Sequence, residues 1–261
     1  MEEYLKFAIN ISKYAGDLIL KYFDIDNKEV EYKSDKTPVT IVDKQINKYL
    51  IDQVKVKYPN HGVCGEEEKY NESAKYLWVC DPLDGTSMFT RHIPVSVFSL
   101  ALVIDGKPVV GVVYDPFLNE LYTAIKGKGA YCNNKEIHVN NLDYGDLGCS
   151  IDYCMWNNSK YDTLEIIKEL REYAKICQIG SVARASMAIA SGKICAEIFP
   201  GTEHGNCDIA ASKLIVEEAG GKVTNFFGED QRYDEDIDGS LLTNGKLHEV
   251  ILKKINNIYG G

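Results

Sequence analysis

Between Glu2 and Phe23 the apolar residues Leu5, Ala8, Ile9, Ala15, Leu18, Ile19 and Tyr22 recur at spacings of three and four, the stripe of an amphipathic helix. A second stripe, Ile46, Leu50, Val54 and Tyr58, predicts a helix from about Thr40 to Tyr58. Pro59 stops it, because proline disfavours helical geometry in the residue before it. The polar segment between them, Asn27 to Thr37, carries Lys28, Lys33, Ser34, Asp35 and Lys36 and is expected as a surface loop. Past Asn60 the pattern shortens to that of strands: His61 to Gly65 runs into Glu66, Glu67 and Glu68, and Tyr76 to Cys80 runs into Asp81. Val95 to Ile104, Val109 to Tyr114 and Glu120 to Ile125 follow. Their connections are too short for a crossover helix, so antiparallel hairpins are expected.

Beyond the turns at Gly127-Lys128-Gly129 and Asn133-Asn134, helix and strand alternate. Helices are expected at Tyr161 to Ala174, Val182 to Ser191, Asp208 to Ala219 and Lys246 to Ile258, and extended segments at Lys175 to Ile179 and Ile194 to Phe199. Elements of one kind thus come in blocks, which predicts an α+β fold of stacked helical layers and mixed or antiparallel sheets rather than a doubly wound parallel sheet. No repeat, low-complexity tract or linker interrupts the chain. Residues 1–261 are therefore expected to form one domain with two lobes, approximately 1–142 and 143–261.

Composition then narrows the functional classes. A chain of 261 residues, 45% hydrophobic, is long enough for a packed core, and 29 Lys+Arg against 39 Asp+Glu leave a net charge of −10. That field repels phosphate backbones and anionic lipid, so neither a nucleic-acid polymer nor a membrane is expected as a partner. No apolar run approaches the ~20 residues of a bilayer span. Met1-Glu2-Glu3 lacks the basic start of a secretory signal, and a cytoplasmic location is expected. Cys64, Cys80, Cys132, Cys149, Cys154, Cys177, Cys195 and Cys207 form no CxxC pair and are expected as reduced structural thiols.

The densest chemistry is at Asp81-Pro82-Leu83-Asp84-Gly85-Thr86-Ser87, where an apolar strand ends in two aspartates three residues apart. Such carboxylates repel unless a cation lies between them, and oxygen donors select hard ions such as Mg²⁺, Mn²⁺ or Ca²⁺. Gly85, Thr86 and Ser87 would offer backbone N–H groups to phosphate oxygens if a helical turn begins there. Each piece alone has a plainer reading: the aspartates as turn formers, Glu66 to Glu68 as a solvated loop, and Asp208 as the cap of its helix. Their conjunction favours a metal and phosphate pocket.

These segments resemble the inositol monophosphatase-like family of Mg²⁺-dependent, lithium-sensitive phosphatases. Asp81-Pro82-Leu83-Asp84-Gly85-Thr86 matches that family's DP(I/L)DGT signature in full, Gly65-Glu66-Glu67 its GEE element, and Val39-Thr40-Ile41-Val42-Asp43 its VTxxD element. Cys207-Asp208-Ile209-Ala210-Ala211-Ser212, with Glu217-Glu218-Ala219-Gly220-Gly221, meets the second signature in part. The resemblance implies a layered αβαβα sandwich and two to three Mg²⁺ ions, with Mn²⁺ as a substitute. Glu66, Asp81 and the Leu83 carbonyl would hold one ion, Asp81, Asp84 and Asp208 a second, and Glu66 with waters a third. Asp43, Thr86 and Glu66 would be catalytic, Asp43 and Thr86 orienting a metal-activated water for direct hydrolysis. A loop from Lys33 to Lys36 would close over the third ion, and a homodimer is implied.

The resemblance leaves the substrate open between a small phosphorylated polyol or sugar, histidinol phosphate, a fructose 1,6-bisphosphate and a 3′(2′),5′-bisphosphate nucleotide. A non-catalytic metal-binding regulatory protein is the alternative from another class. Asp84, Gly85, Thr86, Ser181, Arg184 and Glu203 are the candidate substrate and phosphate contacts. Arg184 is of interest because it would clasp a second phosphate, and Glu203 because the family's ring-reading glutamate position falls at Phe199 here. Phe199 is expected either to stack on a ligand ring or to fill the core. His92 and His204 are possible pocket neighbours.

Overall fold

The computed structural model describes residues 1–25, 30–33, 36–155 and 159–259. Helix α1 (Glu2–Phe23) buries Ala8, Ala15 and Ile19 of the expected stripe together with Phe7 and Ile11. Strands β1 (Glu31–Tyr32) and β2 (Pro38–Val39) pair antiparallel and lead into α2 (Ile41–Lys57). Of the expected loop before α2, Asn27, Lys28, Glu29, Ser34 and Asp35 lie outside the described residues. The start of α2 is set by a capping box: Thr40 Oγ1 accepts from Val42 N, and Asp43 Oδ2 accepts from Thr40 N at 2.8 Å.

The large sheet is built from β3 (Gly62–Gly65), β4 (Lys69–Tyr70) and β5 (Tyr76–Asp84) and, after the single turn α3 (Thr86–Phe89), β6 (Val97–Ile104), β7 (Lys107–Asp115), β8 (Glu120–Ile125), β9 (Ala130–Cys132) and β10 (Lys135–Glu136). Its order is β10-β9-β8-β7-β6-β5-β3-β4. The β6, β7 and β8 hairpins are antiparallel as expected, whereas β3 and β5 run parallel.

The rest of the chain forms β11 (Ser150–Tyr153), α4 (Leu164–Leu170), β12 (Lys175–Cys177), α5 (Val182–Ala190), β13 (Ala196–Phe199), α6 (Gly205–Glu218), β14 (Lys222–Thr224), β15 (Ser240–Thr243) and α7 (His248–Tyr259). The second sheet has the mixed order β12-β11-β13-β15-β14. Strands β11, β14 and β15 leave no periodic signal because they are three or four residues long and mostly buried, so they show no alternation. Helix α4 is shorter than expected: Asp162 Oδ1 takes the Leu164 amide at its start, and the chain enters β12 at Lys175.

Three apolar clusters join five layers. α1 and α2 cover one face of the large sheet through Ile11, Leu50, Trp78 and Phe98. α5 and α6 lie between the sheets, with Met187 and Ile215 packed among Ala101, Val113 and Leu242. α4 and α7 close the second sheet on Ile166, Ile198 and Ile251. This is the expected αβαβα sandwich. Covered on both sides, α5 is apolar nearly all round, and every residue of Val182–Ala190 except Arg184 is buried.

Candidate active site

Residues i and i+3 of a regular strand face opposite sides of a sheet, which would separate Asp81 from Asp84. Strand β5 avoids this with a bulge. Asp81 lies opposite Ser99 and Asp84 opposite Val97, three steps along β5 against two along β6. Pro82, which has no N–H for the ladder, sits within the irregularity. Both carboxylates consequently line one cleft of about 950 Å³.

Asp208 meets them from the first turn of α6, and one carboxylate oxygen from each of Asp81, Asp84 and Asp208 lies within 4.8 Å of the others. The expectation that Asp208 opens its helix is corrected: α6 begins at Gly205, after His204 at φ +60°, whose N–H is held by Asp236 Oδ1. Asp208 therefore lies inside the first turn and does not cap it. Glu66, just past β3, is tied to β5 by its own N–H on the Cys80 carbonyl at 3.1 Å and lines the same cleft. The Leu83 carbonyl accepts from Thr86 Oγ1 at 2.9 Å, and Thr86 Oγ1 also lies 3.2 Å from Asp43 Oδ1. Thr40 saturates the other Asp43 oxygen through its N–H and its hydroxyl.

The electrostatics are those of a site short of positive charge. Burial first, then Glu66, Asp208 and Asp84, push the Asp81 carboxyl well above its ordinary range, and burial with Asp84 and Glu66 does the same to Asp208. Burial raises Asp84 less, to about 6, because Ser181 Oγ and Ala183 N donate to its Oδ2 at 2.7 and 2.6 Å. Asp43 is raised to about 7, mainly by burial. Close carboxylates with oxygen-only donors need either shared protons or a hard divalent cation, and the set fits Mg²⁺. Lys33 brings a positive charge to the acidic turn, with Nζ at 2.8 Å from Glu66 Oε1 and 2.6 Å from Glu67 Oε1.

Gly85, Thr86, Ser87 and Glu203 also line the cleft, together with His204. The structure places the remaining candidates elsewhere than at an open phosphate contact. Ser181 caps α5 and holds Asp84, so its hydroxyl is committed to positioning a carboxylate rather than to a phosphate. Arg184 is not among the cleft-lining residues; its Nε pairs with buried Asp115 at 2.8 Å and its Nη1 lies 3.8 Å from Glu120. Of the two readings of Phe199 the structure has the second: it is fully buried, close against Gly205, and belongs to the core. His92 contacts Phe23 and does not line the cleft.

Asn47 is a site residue that sequence reasoning missed. Its buried amide accepts from Glu67 N and Glu68 N, both at 3.2 Å, and donates to the Glu68 carbonyl at 2.9 Å, shaping the acidic turn. Gly65 makes room for it, since a Cβ there would lie 2.0 Å from Asn47 Oδ1. The available signal was a polar side chain beside Ile46 on the buried face of α2.

Layered sandwich and converging carboxylates together define a phosphatase-type hydrolase, and comparison with known proteins agrees. The model of the inositol monophosphatase family matches residues 1–259. Inositol monophosphatase 2 of Solanum lycopersicum is 32% identical over 270 residues, 98% of this chain and 99% of the relative. A fructose-1,6-bisphosphatase/inositol-1-monophosphatase of Thermotoga maritima is 30% identical over 260 residues, 97% of this chain and 96% of the relative. The solved structure of an IMPase from Thermotoga maritima superposes with a TM-score of 0.88 at 28% identity, covering 100% of this chain and 99% of that one. An IMPase/NADP phosphatase solved with Mg²⁺ and phosphate gives a TM-score of 0.85 at 27% identity, covering 100% of this chain and 97% of that one. The chain belongs to the inositol monophosphatase family and is a phosphoric monoester hydrolase.

Proposed function

We propose that this protein is a Mg²⁺-dependent phosphomonoesterase that hydrolyses a small phosphorylated polyol or sugar by direct attack of water. The observation that carries the reading is the meeting of Asp81, Asp84 and Asp208 oxygens within 4.8 Å beside the Thr86–Asp43 hydrogen bond. Glu66, Asp81 and the Leu83 carbonyl would hold one ion, Asp81, Asp84 and Asp208 a second, and Glu66 would contribute to a third. Mg²⁺, when bound, supplies Lewis acidity that acidifies water and neutralises phosphoryl oxygens.

The protein's own part is proton handling and placement. The single Thr86 hydroxyl proton has two acceptors, the Leu83 carbonyl at 2.9 Å and Asp43 Oδ1 at 3.2 Å; with the Leu83 carbonyl given to an ion, Oδ1, the oxygen that Thr40 leaves open, would receive it. So oriented, Thr86 Oγ1 turns its lone pairs toward the cleft and accepts from the attacking water. Gly85, Thr86 and Ser87 line the cleft beside Asp84, and their N–H groups would face the phosphoryl oxygens. The same reading carries a single-domain homodimer in the cytoplasm, with Mn²⁺ able to replace Mg²⁺.

The test is phosphate release from inositol 1-phosphate, fructose 1,6-bisphosphate, histidinol phosphate and 3′-phosphoadenosine 5′-phosphate, with and without Mg²⁺. Mg²⁺-dependent release is expected from at least one ester. Silence across the panel with folded, Mg²⁺-loaded protein would favour the non-catalytic alternative.

A second prediction concerns Lys33. Its ammonium occupies carboxylate oxygens that a cation would take, so Lys33→Met is expected to tighten Mg²⁺ binding at Glu66. Because the pair is partly exposed, the gain is small, about two- to fivefold in affinity by calorimetry. Weaker binding in the variant would show that Lys33 supports the metal site instead of competing with it.

A further inference from the structure

With Arg184 neutralised by Asp115 and Glu120, a cation for a second anionic group must come from elsewhere, and the cleft is lined by three, Lys33, Lys36 and Arg91. We propose that Arg91 reads a second anionic group on the substrate, so that a small polyol or sugar carrying two phosphoryl groups is preferred to its monophosphate. The inference rests on the phosphatase reading above.

Arg91 lines the cleft just beyond α3, and its Nη1 donates to the Ser87 carbonyl at 2.9 Å and the Ser87 hydroxyl at 3.1 Å. Both partners are neutral. Among the described residues no carboxylate lies within ion-pair distance of this guanidinium, although the cleft is lined by Glu66, Glu67, Asp81, Asp84, Glu203 and Asp208. Lys33, by contrast, is spent on Glu66 and Glu67, and Lys36, which also lines the cleft without an ion pair among the described residues, is an ammonium with no planar fork to offer two oxygens. In a chain of net charge −10, an arginine that passes over abundant carboxylates keeps its charge for a ligand.

The anchor matters as much as the charge. Two hydrogen bonds from one nitrogen to Ser87 hold the side chain against the residue that follows Thr86, and the remaining N–H donors of the fork stay available. A planar fork with free parallel donors matches two oxygens of a phosphate, which an ammonium does not. The cleft, at about 950 Å³, is near the upper end for small-ligand sites, so it has room for a polyol or sugar with a group at each end.

The alternative is that Arg91 merely ties down the end of α3. Steady-state kinetics of wild-type, Arg91→Ala and Arg91→Lys proteins separate the two, using fructose 1,6-bisphosphate and inositol 1-phosphate with Mg²⁺. Expected is a loss of kcat/KM for the bisphosphate that exceeds the loss for the monophosphate by about 10- to 100-fold in Arg91→Ala, carried mainly by KM, with partial recovery in Arg91→Lys. Equal losses for both esters, or none, overturn the inference, because a tie to Ser87 does not distinguish substrates. If the wild-type protein hydrolyses neither ester, the phosphatase reading fails instead. Calorimetric titration of the two esters into Ca²⁺-loaded protein then still decides the inference, by whether Arg91→Ala removes a preference for the bisphosphate.

Discussion

Asp84→Asn protein is expected to fold normally and to lose Mg²⁺-dependent phosphate release by at least about 10³-fold, the equivalent of about 4 kcal/mol of barrier. Asparagine keeps an oxygen in place of Oδ2, so the hydrogen bonds from Ser181 Oγ and Ala183 N survive and the β5 bulge is not disturbed. What is lost is one negative charge among the three carboxylates whose oxygens converge within 4.8 Å. The same substitution relieves a buried carboxyl already held up at about 6, so the metal-free variant is expected to melt no lower than metal-free wild type. Phosphate release, circular dichroism and thermal denaturation read these effects separately. A variant that turns over at wild-type rate would remove Asp84 from the site, whereas an unfolded one would locate its role in the bulge.

The second large effect is on stability against pH in the metal-free protein. Burial raises Asp43 to about 7, Asp84 to about 6 and Asp152 to about 7, and lifts Asp81, Asp208 and Glu197 well above the usual carboxylate range. A carboxyl whose folded pKa exceeds its unfolded value keeps its proton longer in the native state. Between about pH 4 and pH 7 the folded chain thus binds more protons than the unfolded one, and stability falls as pH rises. A tenfold difference in proton affinity between the folded and unfolded chain is worth about 1.4 kcal/mol per group, so the combined loss reaches several kcal/mol.

Metal-free protein should accordingly melt several degrees higher at pH 5 than at pH 7.5. Mg²⁺ takes the place of the shared protons at Asp81, Asp84 and Asp208, so its binding should release protons and narrow that gap. At a hundredfold excess over its dissociation constant it adds about 2.7 kcal/mol, a rise of about 5 to 10 °C for a chain of this size. Scanning calorimetry at both pH values, with EDTA or Mg²⁺, checks the sign. A metal-free melting temperature that climbs from pH 5 to pH 7.5 would contradict it.

Much of the architecture was legible in the chain. The stripes of α1 and α2 and the hairpin run from β6 to β8 fall where periodicity places them, because those elements show one apolar face or a turn signal. The capping box of Thr40 and Asp43 is equally local, four consecutive residues deciding where a helix begins. Legibility ended where the signal was non-local. β11, β14 and β15 are too short to alternate, and the true start of α6 depends on Asp236 holding His204 in a left-handed conformation.

For the site, the linear chain already carried the inventory: four acidic positions, Glu66, Asp81, Asp84 and Asp208, with Thr86 and Asp43, each recognisable within a short motif. What that inventory does depends on folding. A one-residue bulge against β6 turns Asp81 and Asp84 to the same cleft, although their spacing alone would part them. Ser181 becomes a support for Asp84, and Asn47 shapes the acidic turn from a helix that contributes no motif there. Arg184 and Arg91 are the clearest case, one in the first turn of α5 and one just past α3, since nothing local says which of the two is ion-paired. Asp115 and Glu120, brought up by the end of β7 and the start of β8, cancel the first, while the second keeps its charge in the cleft, because ion pairing depends on distance in space and not along the chain.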